Sequence, residues 1–206
     1  RVHEIGYADR PPTAAELERM QALVRNAMEE GALGVGSSLI YAPAFYAKTD
    51  ELIALAQAAG ESGGAYISHM RSEGNRFLES LDELIKITRS ANVHGEVYHF
   101  KAAGKDNWTK FSQAIAKIDE ERAKGLDISA NMYPYTAGAT GLDAAMPPWV
   151  QEGGKDEWIK RLKDPATRAR VVKEMRTPTN DWENLLLAAG KPDNVLLVSF
   201  DSEQLK

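Results

Sequence analysis

Two histidines thirty residues apart are the first residues of this chain that can do chemistry. His69 closes the run Ala65-Tyr66-Ile67-Ser68, and His99 closes Glu96-Val97-Tyr98. Each run is short, apolar and aromatic, and each follows a stretch with helical spacing. In parallel α/β folds, ligands gather at the carboxyl ends of strands. Two adjacent strand ends bearing His would place two imidazoles near one point, and neutral imidazole is a favoured zinc ligand. The alternative is a pair of structural histidines bonded to loop backbone; the spacing leaves both readings open.

Further polar groups stand at the same strand ends. Arg71 and Glu73 follow His69, Lys101 follows His99, Tyr41 follows the first strand, and Tyr133 and Tyr135 close the fourth. Arg and Lys there can hold a substrate carboxylate, and Tyr can orient or polarise a carbonyl. Structural roles compete: Arg71 and Glu73 pairing at the rim, Tyr133 and Tyr135 packing on the tail. Other motifs point to little chemistry. Gly34 and Gly36 lack the third glycine of a dinucleotide fingerprint, and the chain has neither a P-loop nor a Gly-x-Ser-x-Gly elbow. His94 precedes its strand and reads as a turn residue. His3 is uninformative, and Trp108, Trp149, Trp158 and Trp182 read as packing residues.

The elements that must carry these groups alternate. Thr13 and Glu16 form a capping box after Pro11-Pro12, and Leu17, Met20, Leu23, Val24, Ala27 and Met28 recur at helical spacing up to Gly31. A strand is expected over Ala32 to Leu39, then a helix over Thr49 to Ala59 and a strand over Ala65 to Met70. Helices over Phe77 to Ser90 and Trp108 to Lys124 alternate with strands over Glu96 to Phe100 and Asp127 to Tyr133. A period of about 30 residues is that of a parallel sheet with crossover helices. Four strands form either an open doubly wound sheet or about half of an eight-stranded barrel.

The remainder differs. Residues 136–166 are rich in Gly, Pro and Ala, a helix is expected over Ala166 to Met175, and Glu183 to Ala188 and Asn194 to Phe200 could be strands. Residues 1–135 are thus expected to form the β/α layers and 136–206 an insertion or sub-domain. Arg1 and Lys206 are unmarked ends, as expected of a piece of something longer.

Composition narrows the classes. The 206 residues are 43% hydrophobic and 27% charged, with 25 basic against 30 acidic residues and a net charge of −5. That is globular, with no basic block for nucleic acid or anionic membrane and no apolar run of membrane length. The absence of cysteine excludes disulfides, thiolate metal sites and a cysteine nucleophile within these residues, and leaves the compartment open.

Taken in order, Ser37-Ser38-Leu39-Ile40-Tyr41-Ala42-Pro43, Ile67-Ser68-His69-Met70-Arg71-Ser72-Glu73-Gly74, Tyr98-His99-Phe100-Lys101, Tyr133-Pro134-Tyr135 and Pro147-Pro148-Trp149 resemble the N-acyl-D-amino-acid deacylase (D-aminoacylase) branch of the amidohydrolase superfamily. The resemblance covers nearly the whole chain. It implies part of a distorted (β/α)8 TIM-like barrel with one or two zinc ions in the full-length enzyme, and hydrolysis of the amide of N-acyl-D-amino acids. It matches His69 and His99 to metal-ligand histidines of barrel strands five and six. It matches Lys101, Tyr41 and Tyr133 to positions that contact the substrate's carboxylate or scissile carbonyl. Arg71 and Glu73 belong to the motif; Arg71 is taken as substrate-binding and Glu73 has no assigned role.

The chain also departs from the family's pattern. The His-x-His pair, the ligand cysteine and the Gly-Ser-Asp segment with the catalytic Asp are absent, so no catalytic residue is assigned within the chain. With only two ligands present, weak metal binding, no hydrolysis by these residues alone, and self-association through open sheet edges are expected. Asn131 stands where many members have Asp, and Phe100 where Leu is common. Ser-Ser-Leu-Ile-Tyr replaces the more frequent Ser-x-Gly-Leu-x-Tyr, as in a sub-branch with a different amide substrate. The alternatives are a non-catalytic α/β module that kept the motifs, and a cyclic-amide hydrolase of the dihydroorotase or hydantoinase kind. The second lacks its expected lysine between Gly34 and Ala47.

Overall fold

The computed structural model describes residues 1–199. In chain order the elements are α1 (Val2–Ile5), α2 (Ala14–Glu29), β1 (Gly34–Ser38), α3 (Thr49–Gly60), β2 (Ala65–His69), α4 (Phe77–Ala91), β3 (Gly95–Val97), α5 (Lys110–Ala123) and β4 (Ile128–Ala130), followed by α6 (Lys155–Lys163), α7 (Pro165–Met175) and α8 (Leu185–Ala188). Short 3-10 turns lie between them. Among the described residues no helix is long and apolar enough to cross a membrane.

The four strands are parallel and lie in the order β1-β2-β3-β4. A doubly wound sheet reverses its order once and carries helices on both faces. Here the order never reverses, and α2 packs on α3, α3 on α4 and α4 on α5. The helices therefore form one layer on one face, as in four consecutive units of a TIM-like barrel. This decides between the two α/β architectures left open by the sequence.

Register shows what each face does. Tyr66, Val97 and Ile128 point to the helices and are buried against Leu52, Ala56, Phe77, Leu81, Leu84 and Ile87. Each such side chain contributes roughly 1.5–3 kcal/mol on burial. On the other face Gly36, Ile67, Glu96 and Ser129 stand abreast. They remain half-exposed or exposed, because no helix covers them. One contact in the helix layer is unusually close. A Cβ on the buried Gly95 would stand 2.0 Å from Thr88 Oγ1, so only glycine lets α4 approach β3 this far.

Local signals explain the helix starts. The Glu16 N–H donates to Thr13 Oγ1 (3.3 Å) and the Thr13 N–H to Glu16 Oε2 (2.7 Å), closing the capping box. Asp164 Oδ2 accepts from the Thr167 N–H at 2.8 Å, and Pro165 occupies the first position of α7.

Several expectations need correction. The strands are shorter than their apolar runs: β3 stops at Val97, so Tyr98 to Phe100 lie beyond it, and β4 stops at Ala130. A one-turn helix, α1, precedes the capping box. Lys155–Lys163 is helical within the Gly- and Pro-rich stretch. Glu183 to Ala188 is not a strand. Asn184 Oδ1 accepts from the Leu187 N–H (3.2 Å) and starts the turn α8 instead. Residues 195–199 carry no regular structure after the 3-10 turn Pro192–Asn194, and Phe200 lies outside the described residues. Trp108, expected to pack, is 61% exposed in front of α5.

Residues 136–199 pack on the loops at the carboxyl ends of the strands. Tyr46 Oη donates to the Pro148 carbonyl at 2.7 Å, and Asn75 Nδ2 donates to Asn180 Oδ1 at 3.0 Å.

Candidate metal centre

His69 is the last residue of β2, and the short β3 hands the chain to a loop that carries His99. His99 adopts φ 41, a left-handed conformation that costs a non-glycine residue about 1–3 kcal/mol. Its N–H donates to Asn131 Oδ1 at 2.7 Å, just beyond β4. This turn aims the ring back across the sheet, where His99 Nε2 lies 2.8 Å from His69 Nδ1.

Glu73 joins them. It lies four residues after His69, is buried, and places Oε2 3.9 Å from His69 Nε2. His69, Glu73 and His99 each offer one donor atom, and these atoms lie within 4.8 Å of one another. Lys101 caps the group: its Nζ donates to Glu73 Oε1 (2.7 Å) and to the His99 carbonyl (3.0 Å), and lies 2.7 Å from His99 Nδ1. His99 Nδ1 also lies 2.9 Å from Glu73 Oε1, between a donor and an acceptor, so the direction of the His99–His69 hydrogen bond follows the tautomer of His99. Among the described residues the buried His69 Nε2 has no hydrogen-bond partner.

Burial sets the charge states. It drives the His69 pKa down to about 3, with the positive charges of His99 and Lys101 adding to the effect. Burial, then Lys101, also lower His99. Burial pushes the Glu73 carboxyl up to about 7 against the pull of Lys101, and the Glu183 carboxylate pushes it further in the same direction. Both imidazoles are therefore neutral at neutral pH, the state a metal requires.

The donor set fits a divalent metal. Two neutral imidazoles and a carboxylate converge on one point, one ring nitrogen is buried without a partner, and catalytic zinc sites use three protein ligands of these types. Beside the two expected ligands, His69 and His99, the structure sets Glu73 as a third candidate donor. Its signal in the sequence was its position four residues after His69, past a strand end where no helical period applies.

The other candidates are placed as follows. The Tyr133 ring lies 6.3 Å from the His99 ring, and the Lys101 ammonium is 5.4 Å from the Tyr133 centroid. The Tyr41 ring meets His69 edge-on at 5.5 Å, and its hydroxyl shares a 2.8 Å hydrogen bond with Thr140 Oγ1. Tyr135 is exposed. Arg71 turns away from the cluster. It holds Glu83 through Nε (2.8 Å) and Nη2 (2.9 Å), and donates to the carbonyls of Phe45 (3.0 Å) and Ala47 (2.9 Å). There it ties α4 to the 45–47 loop. His94 is bound by Asp127 (2.8 Å) and Ser129 (3.0 Å) at the opposite end of the strands.

Two supporting residues had no legible signal. Glu183 reaches back across 110 residues, and its Oε2 accepts from the Glu73 N–H at 2.6 Å, steadying the loop that carries Glu73. Asn131 supports His99 as described.

No family model matches the chain. Known proteins do. N-acyl-D-glutamate deacylase of Alcaligenes xylosoxydans xylosoxydans is 33% identical over 131 residues, which is 64% of this chain and 27% of that relative. A crystal structure of D-aminoacylase, described as defining a novel subset of amidohydrolases, is similar with a TM-score of 0.61 at 36% identity. That match covers 63% of this chain and 27% of the other. The N-acyl-D-glutamate deacylase of Bordetella bronchiseptica, complexed with zinc and a phosphonate mimic of the tetrahedral intermediate, gives a TM-score of 0.60 at 33% identity over 62% of this chain and 27% of its own. The homologues of this chain are therefore amidohydrolases. Within that class they are deacylases of N-acyl-D-amino acids, and the chain spans only about a quarter of the length of those it matches.

Proposed function

We propose that this chain is part of the catalytic domain of a zinc-dependent hydrolase that deacylates N-acyl-D-amino acids or closely related amides. The observation that carries this reading is the convergence of His69, Glu73 and His99 at the carboxyl ends of β2 and β3. The homology supports it. Residues 1–135 supply β/α units of the barrel, and residues 136–206 form an insertion or sub-domain of the same domain.

In this reading His69, His99 and Glu73 hold zinc, which supplies carbonyl polarisation and a nucleophilic water at neutral pH. The chain's own residues position the substrate. The Lys101 ammonium, 30% exposed at the edge of the cluster, attracts the substrate carboxylate by charge while its N–H groups stay on Glu73 and His99. The Tyr133 and Tyr41 rings flank the histidines and line the space in which the acyl carbonyl is oriented, so the reacting groups meet without a large entropic cost. Neutral His69 and His99 hold no exchangeable positive charge that would repel the metal. The carboxylate that carries the proton to the leaving amine is placed outside these 206 residues. Arg71 is assigned to structure, because it points away from the histidines to Glu83 and the carbonyls of Phe45 and Ala47.

The test is zinc content together with hydrolysis of a panel of N-acyl-D- and N-acyl-L-amino acids. It is run on this chain and on a chain extended at both ends. The expected result is zinc and D-selective hydrolysis in the extended chain, both lost on His69→Ala or His99→Ala. A metal-free, inactive extended chain would refute the reading.

A further inference from the structure

Behind the metal cluster, on the face of the sheet that no helix covers, lies a polar pair that the proposed reaction does not use. Glu96 is in the middle of β3, and Asn131 follows β4. Asn131 works in two directions. Its Oδ1 accepts from the His99 N–H at 2.7 Å, and its Nδ2 donates to Glu96 Oε1. Its own backbone continues the ladder, since the Asn131 N–H donates to the Val97 carbonyl (3.1 Å) and the Phe100 N–H donates to the Asn131 carbonyl (2.7 Å). Asn131 therefore holds the left-handed turn at His99 from both main chain and side chain.

We infer that Asn131 is a positioning residue for His99, and that its identity as Asn is dictated by Glu96. The argument is one of donors and acceptors. The His99 N–H needs an acceptor, and the Glu96 carboxylate needs a donor. Only a side-chain amide offers both from one planar group. An aspartate at 131 would still accept from His99, but it would face Glu96 with a second carboxylate. Two carboxylates at hydrogen-bond distance cannot both stay ionised in place. One would turn away, and the His99 turn would lose its anchor. A glutamine at 96 reverses the requirement, because its amide can donate to a carboxylate at 131.

His94 lies on the far side of Glu96. Its Nε2 lies 3.9 Å from Glu96 Oε2 and 3.0 Å from Ser129 Oγ, while its Nδ1 lies 2.8 Å from Asp127. His94, itself held by Asp127 and Ser129, thus stands beside Glu96 and limits the room on that side of its carboxylate.

The inference rests on the proposed metal site for one of its readouts and not for the other. Cobalt(II) is titrated into the whole chain and followed by its visible absorption, with Asn131→Asp, Glu96→Gln and the double variant alongside. Asn131→Asp is expected to weaken cobalt binding at least tenfold. Glu96→Gln alone stays within about threefold, since its carbonyl oxygen still accepts from Asn131. The double variant regains most of the loss, together with the wild-type absorption envelope. Asn131→Ala is not rescued by Glu96→Gln. A double variant no better than Asn131→Asp, or an Asn131→Asp chain that binds cobalt like wild type, overturns the inference.

A second readout separates this result from the metal reading. The same four proteins are unfolded with urea in the presence of a chelator. The midpoint lost in Asn131→Asp should return in the double variant even if the wild-type chain takes up no cobalt. If the wild-type chain takes up no cobalt, the urea midpoints decide the pairing, and the proposed function is judged separately on the extended chain. Additive midpoints would overturn the pairing of Asn131 with Glu96.

Discussion

Replacing Gly95 by Ala tests the contact that lets β3 lie beneath α4. Gly95 is buried and paired on both sides, with Tyr66 of β2 and Ile128 of β4. A Cβ there would stand 2.0 Å from Thr88 Oγ1, 2.8 Å from Thr88 Cγ2 and 3.0 Å from Thr88 Cβ. Thr88 is itself fully buried in α4, and β-branching stiffens its side chain. The strand cannot move either, because it is held on both edges. Overpacking of this kind costs about 1–3 kcal/mol, and the double constraint puts Gly95→Ala at the upper end. The partner variant sharpens the test. The Thr88 hydroxyl is buried with no hydrogen-bond partner among the described residues. Thr88→Ala removes that unsatisfied group and loses one methyl, two effects of roughly 1 kcal/mol and opposite sign. It should therefore be nearly neutral by itself. In the double variant the two closest atoms are gone and the remaining 3.0 Å contact relaxes by a small shift of the helix. Urea unfolding of the four proteins measures the coupling. Gly95→Ala should lower stability by about 2–3 kcal/mol, and Thr88→Ala should restore at least half of it. A Gly95→Ala chain within about 0.5 kcal/mol of wild type, or one not rescued, refutes the close-approach argument.

Metal-free stability should depend on pH in a specific way. His69, with its folded pKa down at about 3, contributes stability that is present above pH 6.5 and is lost as the pH falls towards 3. Glu73, pushed up to about 7, does the reverse: its contribution is full below pH 4.5 and is lost as the pH rises to 7. Between 4.5 and 6.5 the two slopes, each about 1.4 kcal/mol per unit at most, cancel. Glu73→Gln should turn that plateau into a rise, measured by urea unfolding with chelator present; a flat profile in the variant would contradict it. His99 and Glu183 are shifted in the same senses and add to the two limbs. Arg71→Ala should cost about 1–3 kcal/mol by leaving the carbonyls of Phe45 and Ala47 without their Arg71 donors and Glu83 with the Thr49 hydroxyl in place of the guanidinium, with cobalt affinity unchanged. A stable Arg71→Ala chain would argue instead for a substrate role, read as a raised KM in the extended enzyme.

Much of the fold was legible because its signals are local. The Thr13 and Glu16 cap, the helical spacing of Leu81, Leu84 and Ile85, and the apolar runs before His69 and His99 each act within one element. The strand order was legible only to the level of parallel β/α units, since a doubly wound sheet and a barrel segment share that local pattern. Strand ends were less legible. His99 leaves β3 early because of the left-handed turn that Asn131 holds from another strand, and nothing near His99 announces it. The tail misled for a similar reason: Leu185-Leu186-Leu187 is apolar enough for a strand, and the Asn184 cap makes it a helical turn. The two histidines and Lys101 were found from position at strand ends. Glu73 was seen but given no role, and Glu183 was invisible, because its one informative contact spans 110 residues.

The unreversed strand order also bears on how the site comes into being. Every strand pairs with its immediate successor, so each pairing closes a loop of only about 30 residues, and the entropy of closure stays small. Mixed α/β chains with such connectivity fold at rates between those of helical bundles and of all-β sandwiches. His69 and His99 come from consecutive units, and Asn131 from the next one. During synthesis, the imidazole pair and its anchor can therefore be assembled once β4 has emerged, before residues 136–206 are made. Glu183 arrives last and fastens a loop that already exists.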